Sequence, residues 1–244
     1  MKLFTKTSGW FGGLFAVAFC LLSLSGAKAQ LLWYNGDAGT GGSADNIFAT
    51  ASTDYTGIVY QDFTVTDAGG WQVTGVSGTF LLPNPVTTAN WVILSGVSEG
   101  NGGNLVASGT ASPLTLNELA GPNSKGNTLY QASVTGLNFD LAAGTYWLGL
   151  QPISSGFGYI VNTTGQNAIG ASTGAAYYTE TGLGGIPIAG PFTSTAAIKS
   201  DLANFSMGIS GTVSVPEPSS SKLLLIALGS LAVSVYLRKR LARV

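Results

Sequence analysis

Carboxylates are the main groups in this chain that could do chemistry. The 244-residue sequence has eleven Asp and Glu residues, no histidine and one cysteine, Cys20. Without histidine the usual general base and metal ligand is missing, and Ser-His and Cys-His nucleophilic pairs are excluded. Two carboxylates that flank a sugar bond can still hydrolyse it. The candidates for such a pair are Asp37, Asp45, Asp54 and Asp62.

A polysaccharide-acting hydrolase using paired aspartates is therefore the alternative function that these residues leave open. Aspartates in Gly- and Asn-rich turns commonly accept hydrogen bonds from local backbone amides, and Asp62 beside Phe63 fits a strand edge or a turn. Because this structural role explains the same residues, we expect a protein that is not an enzyme.

The same region offers oxygen ligands for a hard cation. Asn35-Gly36-Asp37 and Asp45-Asn46 flank a glycine-rich loop, and calcium takes carboxylate and carbonyl oxygens from irregular loops. A calcium site at Asp37 and Asp45 is thus one hypothesis. The spacing matches no EF-hand loop and turn chemistry accounts for these residues as well, so we expect no cofactor.

Aromatic rings are a further candidate for binding, because their apolar faces pack on the C–H faces of sugars while their polar tips form hydrogen bonds. Tyrosines and tryptophans in segments without clear alternation are candidates for exposure and glycan contact. They are Trp33, Tyr34, Tyr177 and Tyr178. Core packing is the competing interpretation, since most large aromatic side chains are at least half-buried.

The charge distribution excludes nucleic acid as a partner. Of the ten basic residues only Lys125 and Lys199 lie between residues 30 and 214, whereas every acidic residue except Glu217 lies there. This central region therefore carries a net charge of −8. Nucleic-acid binding requires clustered Lys and Arg that replace phosphate counterions, and an acidic domain without Arg repels that polyanion.

The sequence of the central region predicts an all-β domain. Extended runs alternate with turn clusters at the spacing typical of a sandwich or barrel, and 35 glycines with only 9% charged residues favour short strands over helices. Alternation places Leu148 and Leu150 on one core face, with Tyr146, and Phe205, Met207 and Ile209 on another. The predicted strands are 57–65, 71–82, 90–95, 104–110, 128–134, 145–151, 158–161 and 204–213, and the predicted turns are 67–70, 99–103 and 142–144.

The N-terminus has the features of a signal peptide. Lys2 and Lys6 precede an apolar run at about 10–24, and Ala27 and Ala29 place small residues where signal peptidase requires them. We expect cleavage after Ala29, so residues 1–29 form the signal peptide. A permanent N-terminal anchor is the alternative, but the apolar run is short.

The C-terminus combines a proline motif, a short apolar helix and a basic tail. The motif is Val215, Pro216, Glu217 and Pro218, and proline ends the strand pattern because it lacks an amide donor. A transmembrane helix is predicted at about 222–238, whose fifteen mostly apolar residues from 223 to 237 span about 22 Å. The basic cluster sets the topology, with residues 30–214 outside. It consists of Arg238, Lys239, Arg240 and Arg243.

In this order the three parts closely resemble the PEP-CTERM sorting signal of exported proteins in many Gram-negative bacteria. The resemblance covers residues 215–244 and implies recognition by an exosortase, which releases the protein to the cell surface or an exopolysaccharide matrix. It also implies a membrane-anchored precursor, with signal peptidase and exosortase as partners during export. An ordinary tail anchor with a proline-rich stalk is the alternative.

The region 30–214 resembles a β-sandwich domain that is common in PEP-CTERM proteins. The resemblance lies in the order of four segments, namely 60–65, the strand from Trp71 to Phe80, 104–110 and 141–148. In outline it resembles jelly-roll carbohydrate-binding modules, although fold likeness alone is a weak guide to function. We therefore expect an antiparallel, jelly-roll-like sandwich with a structural or glycan-binding role, and exopolysaccharide as its candidate partner.

Overall fold

The computed structural model describes residues 29–39, 46–52, 56–181, 191–214 and 239. Its elements are short strands and one helical turn. In chain order they are β1 (Gln30–Tyr34), β2 (Asn46–Phe48), β3 (Thr56–Val65), β4 (Trp71–Leu82), β5 (Ala89–Ser95), β6 (Asn104–Ala111), β7 (Thr115–Ala120), β8 (Thr128–Leu141), β9 (Gly144–Pro152), β10 (Tyr159–Val161), β11 (Tyr177–Thr181), β12 (Thr193–Ser194), α1 (Thr195–Ile198) and β13 (Met207–Val213).

The strands form two antiparallel sheets. In the seven-stranded sheet β8 pairs along all of β4, and β7 lies outside β8. The other edge of β4 is shared by β13, followed by β1, and by β10, followed by β2. The six-stranded sheet has the order β12-β11-β3-β9-β5-β6. The described part of the chain is thus all-β apart from α1, as the sequence predicted for the central region.

The main core lies between the two sheets. Phe63 of β3 is fully buried and stacks on Trp71 of β4, with ring centroids 6.1 Å apart. The two predicted core faces are confirmed: Leu148 and Leu150 are fully buried, and so are Phe205, Met207 and Ile209. Tyr146, predicted on the first face, is half-buried and packs against this core. Burial of such side chains stabilises the fold by about 1.5 to 3 kcal/mol each.

A second, smaller apolar cluster covers the outer face of the six-stranded sheet. It contains Tyr60, Leu94, Val97 and Trp147, and Phe192 packs against it with its ring centroid 5.0 Å from that of Tyr60. The covering segment is held in place because the Ser194 backbone N–H donates to Glu99 Oε2 at 2.8 Å. This second layer explains why β3 and β9 are buried on both faces.

The predicted strand boundaries agree with the structure to within two residues for six of the eight strands. The exceptions are 128–134, which belongs to the longer β8 ending at Leu141, and 204–213, because β13 begins at Met207. Five strands were missed, namely β1, β2, β7, β11 and β12. The turn at 67–70 is confirmed, since Gly70 has φ of 78° and its N–H donates to the Asp67 carbonyl at 2.8 Å.

Both predicted terminal segments lie almost wholly outside the described residues. The signal peptide ends at Ala29, which is exposed directly before β1, and of the sorting segment 215–244 only Lys239 is described. In the described ranges no helix has the length and apolar character that a membrane span requires. The helix at about 222–238 therefore stays a prediction.

Candidate functional site: a polar cleft

A cleft of about 400 Å³ lies where three loops of the sandwich meet. One loop follows β1, the second is the long connection from β10 to β11, and the third precedes β13. The side chains that line it carry amides and hydroxyls, and glycines complete the wall. The polar members are Asn35, Thr163, Thr164, Ser172, Thr173 and Asn204. We call this site the polar cleft.

The wall formed by residues 172–175 is fixed by Asp62 of β3. The Asp62 carboxylate is fully buried and accepts hydrogen bonds from Gln61 Nε2 and Ser172 Oγ, both at 2.8 Å. It also accepts from the Thr173 N–H at 2.5 Å and hydroxyl at 2.9 Å, and from the Ala175 N–H at 3.1 Å. Because buried charges are costly unless hydrogen-bonded, these donors make Asp62 a structural anchor.

The neighbouring Gln61 fixes the opposite wall. Its Oε1 accepts from the backbone N–H of Phe205 at 2.9 Å, and its Nε2 donates to Ser172 Oγ at 3.2 Å as well as to Asp62. Gln61 is fully buried. Two adjacent residues of β3 therefore hold loops that come more than a hundred residues later in the chain.

The floor of the cleft presents two asparagines. Asn35 is 8% exposed, and its Nδ2 donates to Asn204 Oδ1 at 3.3 Å and to the Phe205 carbonyl at 3.1 Å. Among the described residues no hydrogen bond is formed by Asn204 Nδ2, so two N–H donors remain available there. The Thr163 hydroxyl is engaged with the Asp37 carbonyl at 2.8 Å, which ties the first loop to the second.

Tyr34 and Asp37 flank Asn35 of the first loop, but neither residue lines the cleft. The Tyr34 hydroxyl donates to Asp37 Oδ1 at 3.2 Å, and Asn167 Nδ2 donates to Asp37 Oδ2 at 2.7 Å. Partial burial raises the pKa of Tyr34 above its usual value; the negative charge of Asp37 acts in the same direction and a hydrogen bond with Ser206 opposes it. Tyr34 is therefore a neutral hydroxyl at physiological pH.

The four predicted aromatic contacts are not brought together. The expectation of exposure is wrong for Trp33 and Tyr178, which are each 1% exposed: Trp33 packs on Phe63 with ring centroids 5.3 Å apart, and Tyr178 donates to Glu180 Oε2 at 2.8 Å. Their segments lack clean alternation because the strands are short, and both rings turn into the core. Tyr177 packs against the outer apolar cluster, and Tyr34 precedes Asn35 in sequence but does not line the polar cleft.

The predicted carboxylate sites remain partly outside the described residues, since Asp45 and Asp54 are not described. In the described part of the chain no three or more His, Cys, Asp or Glu side chains are grouped in a way that could hold a metal. The calcium hypothesis at Asp37 and Asp45 stays a prediction. The hydrolase alternative is not supported, because Asp62 is buried and its oxygens are occupied by five donors.

A larger groove of about 580 Å³ crosses the outer face of the seven-stranded sheet. Its lining includes the small side chains of Ser77, Ser133 and Ser210, and it extends to Ala29. The predicted signal cleavage after Ala29 would change this groove, whereas the polar cleft is independent of both chain ends. The polar cleft is therefore the better candidate.

Sequence comparison assigns the C-terminal segment. Residues 214–240 match the model of the PEP-CTERM protein-sorting motif. The chain carries a PEP-CTERM sorting signal. This signal implies an exported protein with a membrane-anchored precursor that an exosortase processes at the cell envelope. The prediction made from the proline motif and the basic cluster is thus confirmed. No curated protein matches the chain.

Sequence reasoning missed most of the polar cleft. Asn35 belongs to the segment proposed above as a calcium loop. Thr163 and Asn204 lie in Asn-X-Ser/Thr patterns, which are frequent by chance and predict no such site. Nothing in the local sequence marks Ser172 or Thr173 as part of a site. Uncharged polar residues in glycine-rich stretches are typical of every loop in this chain, so their convergence becomes visible only in three dimensions.

Proposed function

We propose that this PEP-CTERM protein is a non-catalytic component of the cell surface or extracellular matrix of a Gram-negative bacterium, and that its polar cleft binds a neutral glycan. The observation that carries the proposal is the amide and hydroxyl lining of the cleft on a fixed scaffold. Sugars present hydroxyls that both donate and accept, and side-chain amides such as those of Asn35 and Asn204 offer the matching donors and acceptors. Candidate ligands are the neutral parts of an exopolysaccharide.

The rigid support of the cleft favours binding. Asp62 and Gln61 hold both walls through buried hydrogen bonds, so little loop ordering accompanies ligand uptake. A site prepared in this way needs few contacts to reach useful affinity. The walls of the polar cleft therefore support a binding role.

The negative charge of the domain favours neutral glycans over anionic ones. The region 30–214 has a net charge of −8, and one of its two lysines, Lys199, is paired with Asp201 at 2.8 Å. Asp37 adds a carboxylate to the first loop, whose backbone carbonyl at this position accepts from the Thr163 hydroxyl of the cleft. An anionic polysaccharide would meet repulsion here without a cation to offset it. We therefore expect neutral sugars to bind in preference to uronic acids or sulfated chains.

A glycan array probed with the exported protein tests the proposal. We expect hits among neutral oligosaccharides, no release of products, and loss of binding in Asn204→Asp, which keeps the side-chain shape but replaces the free Nδ2 donor with an oxygen. Asn117→Asp, at an exposed position on β7, makes the same charge change away from the cleft and should bind normally. Absence of hits, or equal binding by both variants, would contradict a glycan site in the polar cleft.

A further inference from the structure

Strand β6 ends the six-stranded sheet and is the longest of the strands that end either sheet. It has eight residues, against six in β7, five in β1, three in β2 and two in β12. Its inner edge pairs with β5, and no described residue pairs with its outer edge. Leu105 and Val106 in this strand are 64% and 40% exposed. An outward row of backbone donors and acceptors is thus available for pairing.

The usual protection against edge pairing is weak along this strand. Natural edge strands carry charged side chains, prolines or bulges that discourage a second strand. The sequence of β6 contains neither charge nor proline. One bulge occurs near Val106, where the register with β5 shifts, and it leaves residues 107–111 as a regular stretch. By contrast, β7 carries Glu118 and a bulge between Glu118 and Ala120.

A row of side-chain hydrogen bonds on the outer face ends at this edge. Gln151 of β9 donates to Thr56 Oγ1 of β3 at 3.0 Å, Asn90 of β5 donates to Gln151 Oε1 at 3.4 Å, and Thr110 of β6 donates to Asn90 Oδ1 at 2.8 Å. The Thr110 oxygen can still accept a hydrogen bond. The row therefore ends on the Thr110 hydroxyl, and a polar side chain of a neighbouring strand could extend it by one more hydrogen bond.

We propose that a second copy of this chain pairs with the outer edge of β6, strand to strand and antiparallel, about a two-fold axis at Gly109. In this register Ser108 of each copy lies opposite Thr110 of the other, and Ala107 lies opposite Ala111. Small and uncharged pairs meet on both faces, and the Ser108 hydroxyl extends the hydrogen-bonded row across the interface. The two six-stranded sheets become one continuous sheet.

The absence of charge along β6 allows another copy to be the partner. Two domains of charge −8 repel over most of their surfaces, but at β6 no like charges face each other. A partner strand with basic side chains would gain no ion pair here, because β6 carries no carboxylate. The edge fits its own sequence through the Ser108 and Thr110 pair. The interface is small, so a weak dimer is expected.

Matched charge substitutions on the two edge strands test the dimer without any glycan. Sedimentation equilibrium of the exported protein over a concentration series should show a monomer–dimer equilibrium. Ser108→Glu should weaken the dimer by about tenfold or more, because it places two like charges diagonally across the two-fold axis and puts a bulky charged side chain opposite Thr110. Asn117→Glu on β7 adds the same charge at an exposed position and should leave the equilibrium unchanged. A strict monomer, or equal behaviour of the two variants, would overturn the proposal.

Disulfide trapping tests the register. Cys20 is the only cysteine of the chain, so the variants are made in a Cys20→Ser background. Mixing a Ser108→Cys copy with a Thr110→Cys copy should give cross-linked dimers under mild oxidation, because directly opposite residues lie within disulfide reach. Each variant alone should cross-link far less, since its cysteines are then diagonal neighbours about 7 to 8 Å apart. Equal cross-linking in all three samples would contradict this register.

Discussion

The Asp62 carboxylate accepts a 2.5 Å hydrogen bond from the backbone N–H of Thr173, which lies 111 residues further along the chain. Asp62 belongs to a central strand, whereas Thr173 lies in a loop without regular structure. A single buried side chain thus fixes the position of a loop that lines the polar cleft. Four further donors share its two oxygens, so the arrangement has little freedom to relax.

Replacement of this carboxylate should destabilise the fold. In Asp62→Asn one oxygen becomes an N–H₂ group that faces the donors of Thr173 or Ala175, and hydrogen bonds to a charged acceptor each stabilise by about 1.5 to 3 kcal/mol. We expect a loss of about 3 kcal/mol in the free energy of unfolding, measured by urea denaturation. The matched control is Asp140→Asn, at an exposed site on β8, for which almost no change is expected. Equal effects of the two substitutions would show that Asp62 does not anchor the loop.

Gly70 should be intolerant of any side chain. Its φ is 78°, in the left-handed region, and an added Cβ would press on the carbonyl oxygen of Leu141. Gly126 has a similar φ of 80° but open space around it. Gly126→Ala should therefore lose about 1 kcal/mol from backbone strain alone, and Gly70→Ala roughly 1 to 3 kcal/mol more from the contact. Thermal unfolding of the two variants measures the difference, and similar melting temperatures would show that the Leu141 backbone yields freely.

Alternation along the sequence predicted those parts of the fold that a repeating pattern controls. Met207 and Ile209 face the core because successive residues of a strand point to opposite sides. In contrast, β7 reads Thr-Leu-Asn-Glu-Leu-Ala and is exposed along most of its length, so no burial pattern marks it. The strand exists because β8 offers an edge to it. Such a pairing depends on tertiary context and leaves little trace in local sequence.

The polar cleft was unpredictable for a related reason. The expectation of a strand-edge or turn position is wrong for Asp62, which lies within the central strand β3 and is fully buried. Its partners at Ser172 and Thr173 are distant in sequence and ordinary in type. Local spacing identifies chemistry that one segment contains, such as the proline motif at Pro216. A site assembled from three loops depends on the sheet topology that brings those loops together.

Alkaline pH should weaken the fold through Tyr60. Burial raises the pKa of Tyr60 to about 12, whereas in the unfolded chain it is near 10. The unfolded chain therefore loses this proton first, so stability is complete below pH 10 and falls as pH rises from about 10 to 12. In this range the contribution of Tyr60 to the free energy of unfolding should fall by about 1.4 kcal/mol per pH unit.

Tyr60→Phe isolates this contribution. The ring contact with Phe192 is retained, and Tyr178, whose pKa burial also raises, is present in both proteins. Urea denaturation is measured over a pH range that includes the window of about 10 to 12. In that window the free energy of unfolding should fall less steeply for the variant than for the unmodified protein. Parallel curves for the two proteins would assign the alkaline loss to other groups.

Processing at both ends is the last prediction. The mature protein should begin at Gln30 and lack the tail beyond Pro218, because signal peptidase accepts Ala27 and Ala29 and the PEP-CTERM signal directs an exosortase to the proline motif. An apolar segment of about 22 Å is also shorter than the roughly 30 Å hydrocarbon core, which makes it a poor permanent anchor. Intact mass spectrometry of the surface fraction measures both ends directly, and a species that still ends at Val244 would leave an ordinary tail-anchored protein.

The basic cluster should control this processing. Replacing Arg238, Lys239 and Arg240 with Gln removes the charges that keep the tail on the cytoplasmic side, so the apolar segment is held less firmly and presented less often in the orientation that cleavage requires. The ratio of precursor to mature protein should rise on an immunoblot of whole cells. Lys125→Gln removes a charge at an exposed loop position and should leave the ratio unchanged. If the triple variant matures as efficiently as this control, topology is set by the apolar segment and the proline motif without help from the cluster.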